Sequence, residues 1–160
     1  MGCWVAILGT LDRLNRIHSI ISIASAVDTM YHRFKEFSED EKNTIKQQGY
    51  WIGPKTGSVF GYNFLQSCID NTLMTVKEKQ IQIYCPIRIL HGMSDDVVPY
   101  QVSLKLSKMI SSNDIEVHLV KHFDHMMNSD EALALLSKVL DEMVKVGLDS
   151  DVYLQAPSKL

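Results

Sequence analysis

His91-Gly92-Met93-Ser94-Asp95-Asp96-Val97-Val98-Pro99 closes one apolar run, and Lys121-His122-Phe123-Asp124-His125 follows the next. An acid just past a buried strand stands where open α/β sheets gather their sites, in the loops at the carboxyl ends of strands. A histidine after the following strand completes an acid–base pair. The carboxylate can orient the imidazole and stabilise the imidazolium that forms during acyl transfer. Taken alone, H-G-x-x-D-D also reads as a solvated strand-to-helix turn, because Gly and Asp are common turn residues. Val98-Pro99 and the downstream histidine weigh against that reading. No G-x-S-x-G nucleophile elbow occurs anywhere in the sequence, so an acid and a base are visible without a group to activate.

Pro86–His91 is apolar on both faces and predicts a buried parallel strand. Ile115–Val120 is more mixed and belongs nearer a sheet edge. Between them Val102, Leu106, Met109 and Ile110 share one face of a helix over Tyr100–Ser111, with Pro99 placed to open it. Ile17–Ala26 predicts a further buried strand. Trp4, Ile7, Leu8, Leu11 and Leu14 recur at helical spacing, so the chain opens in an amphipathic helix without a capping residue before it. After the last strand, Asn128 with Glu131 resembles a capping box, and Leu133, Leu136, Val139, Leu140 and Met143 continue as a helix that Gly147 would stop. The order predicts an α/β fold: three mostly parallel strands with flanking helices, the later part of a larger sheet.

An insertion of different character spans about residues 29–79. Ser38 with Glu41 is a capping-box signature for a short helix ending near Gly49, and a further helix covers Tyr62–Thr72. Most of the aromatic residues concentrate here, which suits either a lid with an apolar underside or plain packing of a subdomain. The stretch from about 148 to 160 reads as a loose tail.

The bulk numbers exclude several classes. At 160 residues, 46% hydrophobic and 22% charged, the chain is one ordinary globular domain. A net charge of −3 with scattered basic residues argues against nucleic acid as a partner. Cys3, Cys68 and Cys85 are widely spaced and form no C-x-x-C pair, so neither a disulfide framework nor structural zinc is expected. His122, Asp124 and His125 form an H-x-D-H cluster, but a metal needs three or four convergent ligands and no second cluster supplies them. No apolar run approaches the roughly 18 residues that span a bilayer. Asp12, Arg13 and Arg16 interrupt the N-terminal apolar residues too early for a signal peptide.

Candidates for the chemistry follow from position. Asp95 is the preferred acid, with Asp96 its solvent-facing neighbour and Asp28, directly after the first strand, its rival. His125 is the preferred base, with His122 the close competitor and His118 a packed strand residue.

H-G-M-x-D-D-[IV]-V-P, the later K-H-x-D-H-M and the preceding C-P-I-R-[IL]-L-H-G together resemble the α/β-hydrolase superfamily. Within it they resemble the mitochondrial abhydrolase-domain enzymes of the palmitoyl-protein thioesterase or mycophenolic acid acyl-glucuronide esterase type. Gly49-x-Trp51 with Pro54, then Tyr62-Asn63 and Phe64, fall where that family carries similar residues, and the resemblance runs from about Met1 to Gly147. It implies the C-terminal half of an α/β-hydrolase with a helical lid, Asp95 as triad acid and His125 as general base. It also implies hydrolysis of small-molecule esters or S-acylated proteins through an acyl-serine, no cofactor, and a mitochondrial location whose targeting peptide is not in this chain.

The same alignment sets Met1-Gly2-Cys3-Trp4 on the family's run after the nucleophile, G-x-S-M-G-x-W. The expectation is a chain that begins one residue beyond the serine, with Met1 at the oxyanion position, and that is inactive alone. Ser19, Ser22, Ser25, Ser58 and Ser94 lie on no glycine-flanked elbow. The edge of the Ile17–Ala26 strand would be exposed and prone to self-association. The alternative from another class is a non-catalytic lipid- or partner-binding α/β-hydrolase-like module.

Overall fold

The computed structural model describes residues 1–54, 57–75 and 80–149. The expected tail beyond residue 149 and the far boundary of the insertion lie outside the described residues. The chain divides into two compact units, Asp28–Lys77 and the remainder on either side of it.

In the larger unit the elements are α1 (Gly2–Asp12), β1 (Ile20–Ile23), β4 (Ile87–Gly92), α5 (Gln101–Met109), β5 (Ile115–Val120) and α6 (Asp130–Asp149). The three strands form one wholly parallel sheet in the order β1-β4-β5. Ile20 stands opposite Ile87, and β4 continues in register with β5 from Ile87–Ile115 to Gly92–Val120. All six residues of β4 are buried, as its unbroken apolar run demands of a central strand, while β5 is mostly half-exposed. Arg88 is the exception in β4 by residue type. Its guanidinium reaches Asp114 at 2.7 Å and Glu116 at 3.3 Å, which compensates a charge that burial would otherwise penalise.

Several sequence expectations need correction. The first strand is Ile20–Ile23 rather than Ile17–Ala26, because Ala24 adopts a left-handed conformation (φ 47°) that ends it. In α1 the buried stripe is Trp4, Ile7 and Thr10, and Leu14 lies exposed past the helix end. The helix after the acid turn is Gln101–Met109 rather than Tyr100–Ser111, with Pro99 ahead of its cap Tyr100 as expected and the Pro99 carbonyl accepting the Val102 N–H. The start of α6 is capped by Ser129, whose Oγ accepts the Ala132 N–H at 3.2 Å, and not by Asn128. Gly147 lies inside α6 and does not stop it.

The core of this unit joins Leu90 of β4 to Ala132, Val139 and Met143 of α6, with Phe123 and Met127 from the connecting loop. Phe123 and Met127 bracket His125, so the loop that carries the histidine is anchored by burial on both sides. The Leu, Val, Phe and Met side chains of this core contribute about 1.5–3 kcal/mol each when fully buried.

The smaller unit contains α2 (Thr29–Lys35), α3 (Glu39–Gln48), a hairpin of β2 (Tyr50–Ile52) and β3 (Val59–Gly61), and α4 (Tyr62–Asp70). The Ser38 capping box forms as its spacing predicts: Ser38 Oγ accepts the Glu41 N–H and Glu41 accepts the Ser38 N–H. Gly49 ends α3 in the left-handed region (φ 82°) and leads straight into β2. Phe34, Ile45 and Leu65 are the core, extended by rings running Phe37, Trp51, Phe60 and Phe64 at centroid spacings of 5.3, 5.5 and 6.0 Å. Ser38→Ala is expected to destabilise this unit by about 1 kcal/mol. The check is urea unfolding followed by Trp51 fluorescence, and an unchanged midpoint would contradict it.

Candidate active site

Asp95 sits in the turn that follows β4, and the turn is built around its side chain. Its Oδ1 accepts the N–H groups of Val97 and Val98, both at 2.8 Å. Its Oδ2 accepts from His125 Nδ1 at 2.8 Å and from His91 Nε2 at 3.1 Å. The Asp95 side chain is fully shielded from solvent. Burial pushes its carboxyl upward, but the Val98 N–H, His125 and the Val97 N–H together outweigh burial and hold it below the ordinary aspartate value. Asp95 is therefore ionised at neutral pH and acts only as an acceptor.

A carboxyl held low in the folded state stabilises the fold above its unfolded value, about 3.9, and loses that contribution as pH falls through the lower folded value. The urea midpoints of wild type and Asp95→Asn should therefore differ most above about pH 4 and converge below it. A gap that stays constant with pH would contradict this coupling.

Because Asp95 is an acceptor, His125 carries its hydrogen on Nδ1, and Nε2 is the basic nitrogen of the neutral ring. Among the described residues nothing bonds Nε2, and the side chain is 32% exposed. The loop holding it is organised by Asp124, whose Oδ1 accepts the Met126 and Met127 N–H groups at 3.0 and 3.1 Å. Met127 takes a left-handed backbone (φ 50°) to close that turn. The acid turn and the base loop are joined directly: Ser94 N–H donates to the Phe123 carbonyl at 3.0 Å and Ser94 Oγ to the Lys121 carbonyl at 2.8 Å.

The rivals are engaged elsewhere. Asp28 is fully buried, and its carboxylate accepts the backbone N–H groups of Leu73 and Met74, so it ties the smaller unit together. His122 is exposed, pairs with Glu131 at 2.7 Å and stands edge-on to Phe123. The H-x-D-H cluster thus disperses to three different partners. His118 is partly exposed on β5 beside Glu116, not packed in the core. Asp96 is exposed. The Met1 carbonyl accepts from Trp4 and Val5 in starting α1, and Met1 is 43% exposed. Ser22 and Ser25 are buried with their Oγ atoms 2.7 Å apart, and neither bonds to His125.

Two participants escaped the sequence reading. His91 is completely buried at the end of β4, and Ser103 is completely buried on α5 against its ring. The available signal was a histidine inside an otherwise apolar strand, since buried polar groups require partners.

No protein-family model matches the chain. Human palmitoyl-protein thioesterase ABHD10, mitochondrial, is 30% identical over 149 residues, which cover 90% of this chain and 48% of the relative. The solved structure of mouse alpha/beta hydrolase domain-containing protein 10 superposes with a TM-score of 0.77 at 28% identity, covering 89% of this chain and 58% of that one. A putative hydrolase from Agrobacterium vitis S4 superposes with a TM-score of 0.76 at 24% identity, over 90% of this chain and 58% of that one. The chain shares the α/β-hydrolase fold of these structures and is similar in sequence to the ABHD10 relatives. The chain spans about half the length of the curated relatives it matches. Its parallel sheet with flanking helices is the expected fold class, and the similarity to ABHD10 agrees with the family resemblance read from the motifs. Among the described residues no helix is long and apolar enough to cross a membrane.

Proposed function

We propose that Asp95 and His125 are the acid and base of a serine hydrolase that cleaves carboxylic esters or thioesters, palmitoyl thioesters of proteins foremost. The activity belongs to a longer protein of which this chain is the C-terminal part, with the nucleophilic serine contributed from outside the chain. The carrying observation is the 2.8 Å contact from His125 Nδ1 to the shielded Asp95 carboxylate, with Nε2 left without a partner among the described residues. In this reading a serine hydroxyl passes its proton to Nε2 as its oxygen attacks the acyl carbon, and Asp95 stabilises the imidazolium. The imidazolium then returns the proton to the departing thiolate or alkoxide. Water repeats the cycle on the acyl-serine to release the acid. The ABHD10 relatives bear the name of mitochondrial palmitoyl-protein thioesterases, which supports both the substrate class and a mitochondrial location. The edge of β1 with no strand partner among the described residues favours self-association of the chain by itself.

Activity-based labelling tests this reading. A fluorophosphonate should label one serine in the whole protein, and a palmitoyl thioester should compete for it. The 160-residue chain alone should not react. Labelling of the chain alone, or no labelling of the whole protein, would overturn the proposal.

A further inference from the structure

We propose that His91 is the positioning residue of the acid–base pair: held by Ser103, it aims the second oxygen of Asp95 at His125. The inference rests on the acid–base reading of Asp95 and His125. It starts from a fully buried imidazole whose two nitrogens are both engaged. His91 Nε2 faces two acceptors, the Val98 carbonyl at 3.0 Å and Asp95 Oδ2 at 3.1 Å, so Nε2 carries the hydrogen. Nδ1 then accepts, and the Ser103 hydroxyl, 2.6 Å away and fully buried, is the donor that fixes this tautomer.

These bonds close a ring. The Val98 N–H donates to Asp95 Oδ1, His91 donates to Asp95 Oδ2, and the same His91 hydrogen faces the Val98 carbonyl. The Val97 and Val98 amides are local to the turn and hold only Oδ1. Without His91, Oδ2 keeps only His125 as a partner among the described residues, and the carboxylate plane is free to follow the imidazole. With it, the carboxylate is held from the protein side independently of His125. His125 can then gain and lose a proton while its hydrogen-bond acceptor stays in place. Preorganisation of this kind is what an orienting carboxylate needs.

The test is the tautomer of each histidine, read from long-range 1H–15N NMR of the whole protein at a pH where the imidazoles are neutral. In wild type His125 should show the Nδ1–H form and His91 the Nε2–H form. A free imidazole favours Nε2–H, so the His125 signature reports Asp95 directly. His91→Leu should abolish the single Nδ1–H signature of His125. His91→Gln, whose amide can place a donor at the Nε2 position, should restore it. Ser103→Ala, which removes one hydroxyl, should blur the His91 tautomer and weaken the His125 signature. A dispersed His91→Leu spectrum that keeps His125 as Nδ1–H would overturn the role of His91. If His91→Leu does not fold, unchanged His91 and His125 signals in Ser103→Ala overturn it. A wild-type His125 that is not Nδ1–H would overturn the acid–base pair itself, which separates that failure from this one.

Discussion

Asp95→Asn and His125→Ala should each lower turnover of an ester or thioester by the whole protein about 10⁴-fold. The reason for Asp95→Asn lies in the hydrogen on His125. An ionised carboxylate accepts from Nδ1 and leaves Nε2 able to take a proton. An asparagine amide that turns its NH₂ toward the ring accepts nothing from Nδ1, so the hydrogen moves to Nε2 and the base is lost. The loss should appear in kcat, because the pair acts on the reacting proton rather than on substrate binding. Combining the two substitutions should cost little more than either alone, since the groups act as a unit. His122→Ala should leave turnover unchanged, because that ring is committed to Glu131 on the surface. Turnover that survives Asp95→Asn within about tenfold, or that depends on His122, would remove the assignment.

Gly92→Ala should destabilise the larger unit by about 3 kcal/mol and separate the acid turn from the base loop. A Cβ at this position would lie 2.0 Å from the Phe123 carbonyl oxygen, 2.4 Å from its carbon and 2.8 Å from the Asp124 carbonyl oxygen. All three obstacles are backbone atoms, so no side-chain rotation relieves the clash. The 121–125 loop must retreat, and with it go the Ser94-to-Phe123 hydrogen bond and the alignment of His125 with Asp95. Gly9→Ala is the matched control: a Cβ there meets nothing within 4 Å, and alanine in a helix is favoured over glycine by about 1 kcal/mol. The measurements are urea midpoints for both variants and the His125 tautomer for Gly92→Ala. A Gly92→Ala protein with wild-type stability and an unshifted His125 would show that the loop tolerates the methyl group.

Local physics made part of this molecule legible in advance. β4 could be read because a run apolar on both faces has one comfortable place, the middle of a parallel sheet. The Ser38–Glu41 box could be read because both partners lie within one helical turn. Asp95 and His125 could be read because strand ends in α/β sheets are where a carboxylate and an imidazole from successive loops meet. The misreadings have equally local causes. Asn128 and Ser129 are both good caps, and their order of preference is settled by which backbone N–H each hydroxyl or amide faces. Ile17–Ala26 looks uniformly strand-like, yet the left-handed Ala24 ends pairing early.

The α/β class, the central strand and the leading candidates for acid and base were thus legible from the chain alone, since all of them depend on neighbours close in the chain. The folded chain, by contrast, brings Asp95 to His125 and engages Asp28 and His122 with other partners, because a carboxylate's surroundings depend on which donors reach it. For Asp28 those donors are amides 45 and 46 residues away, and for Asp95 a histidine 30 residues away. The same holds for His91 with Ser103, and for Gly92 beneath the Phe123 carbonyl. Such contacts join residues that no periodicity relates, and they exist only once two strands have aligned their ends.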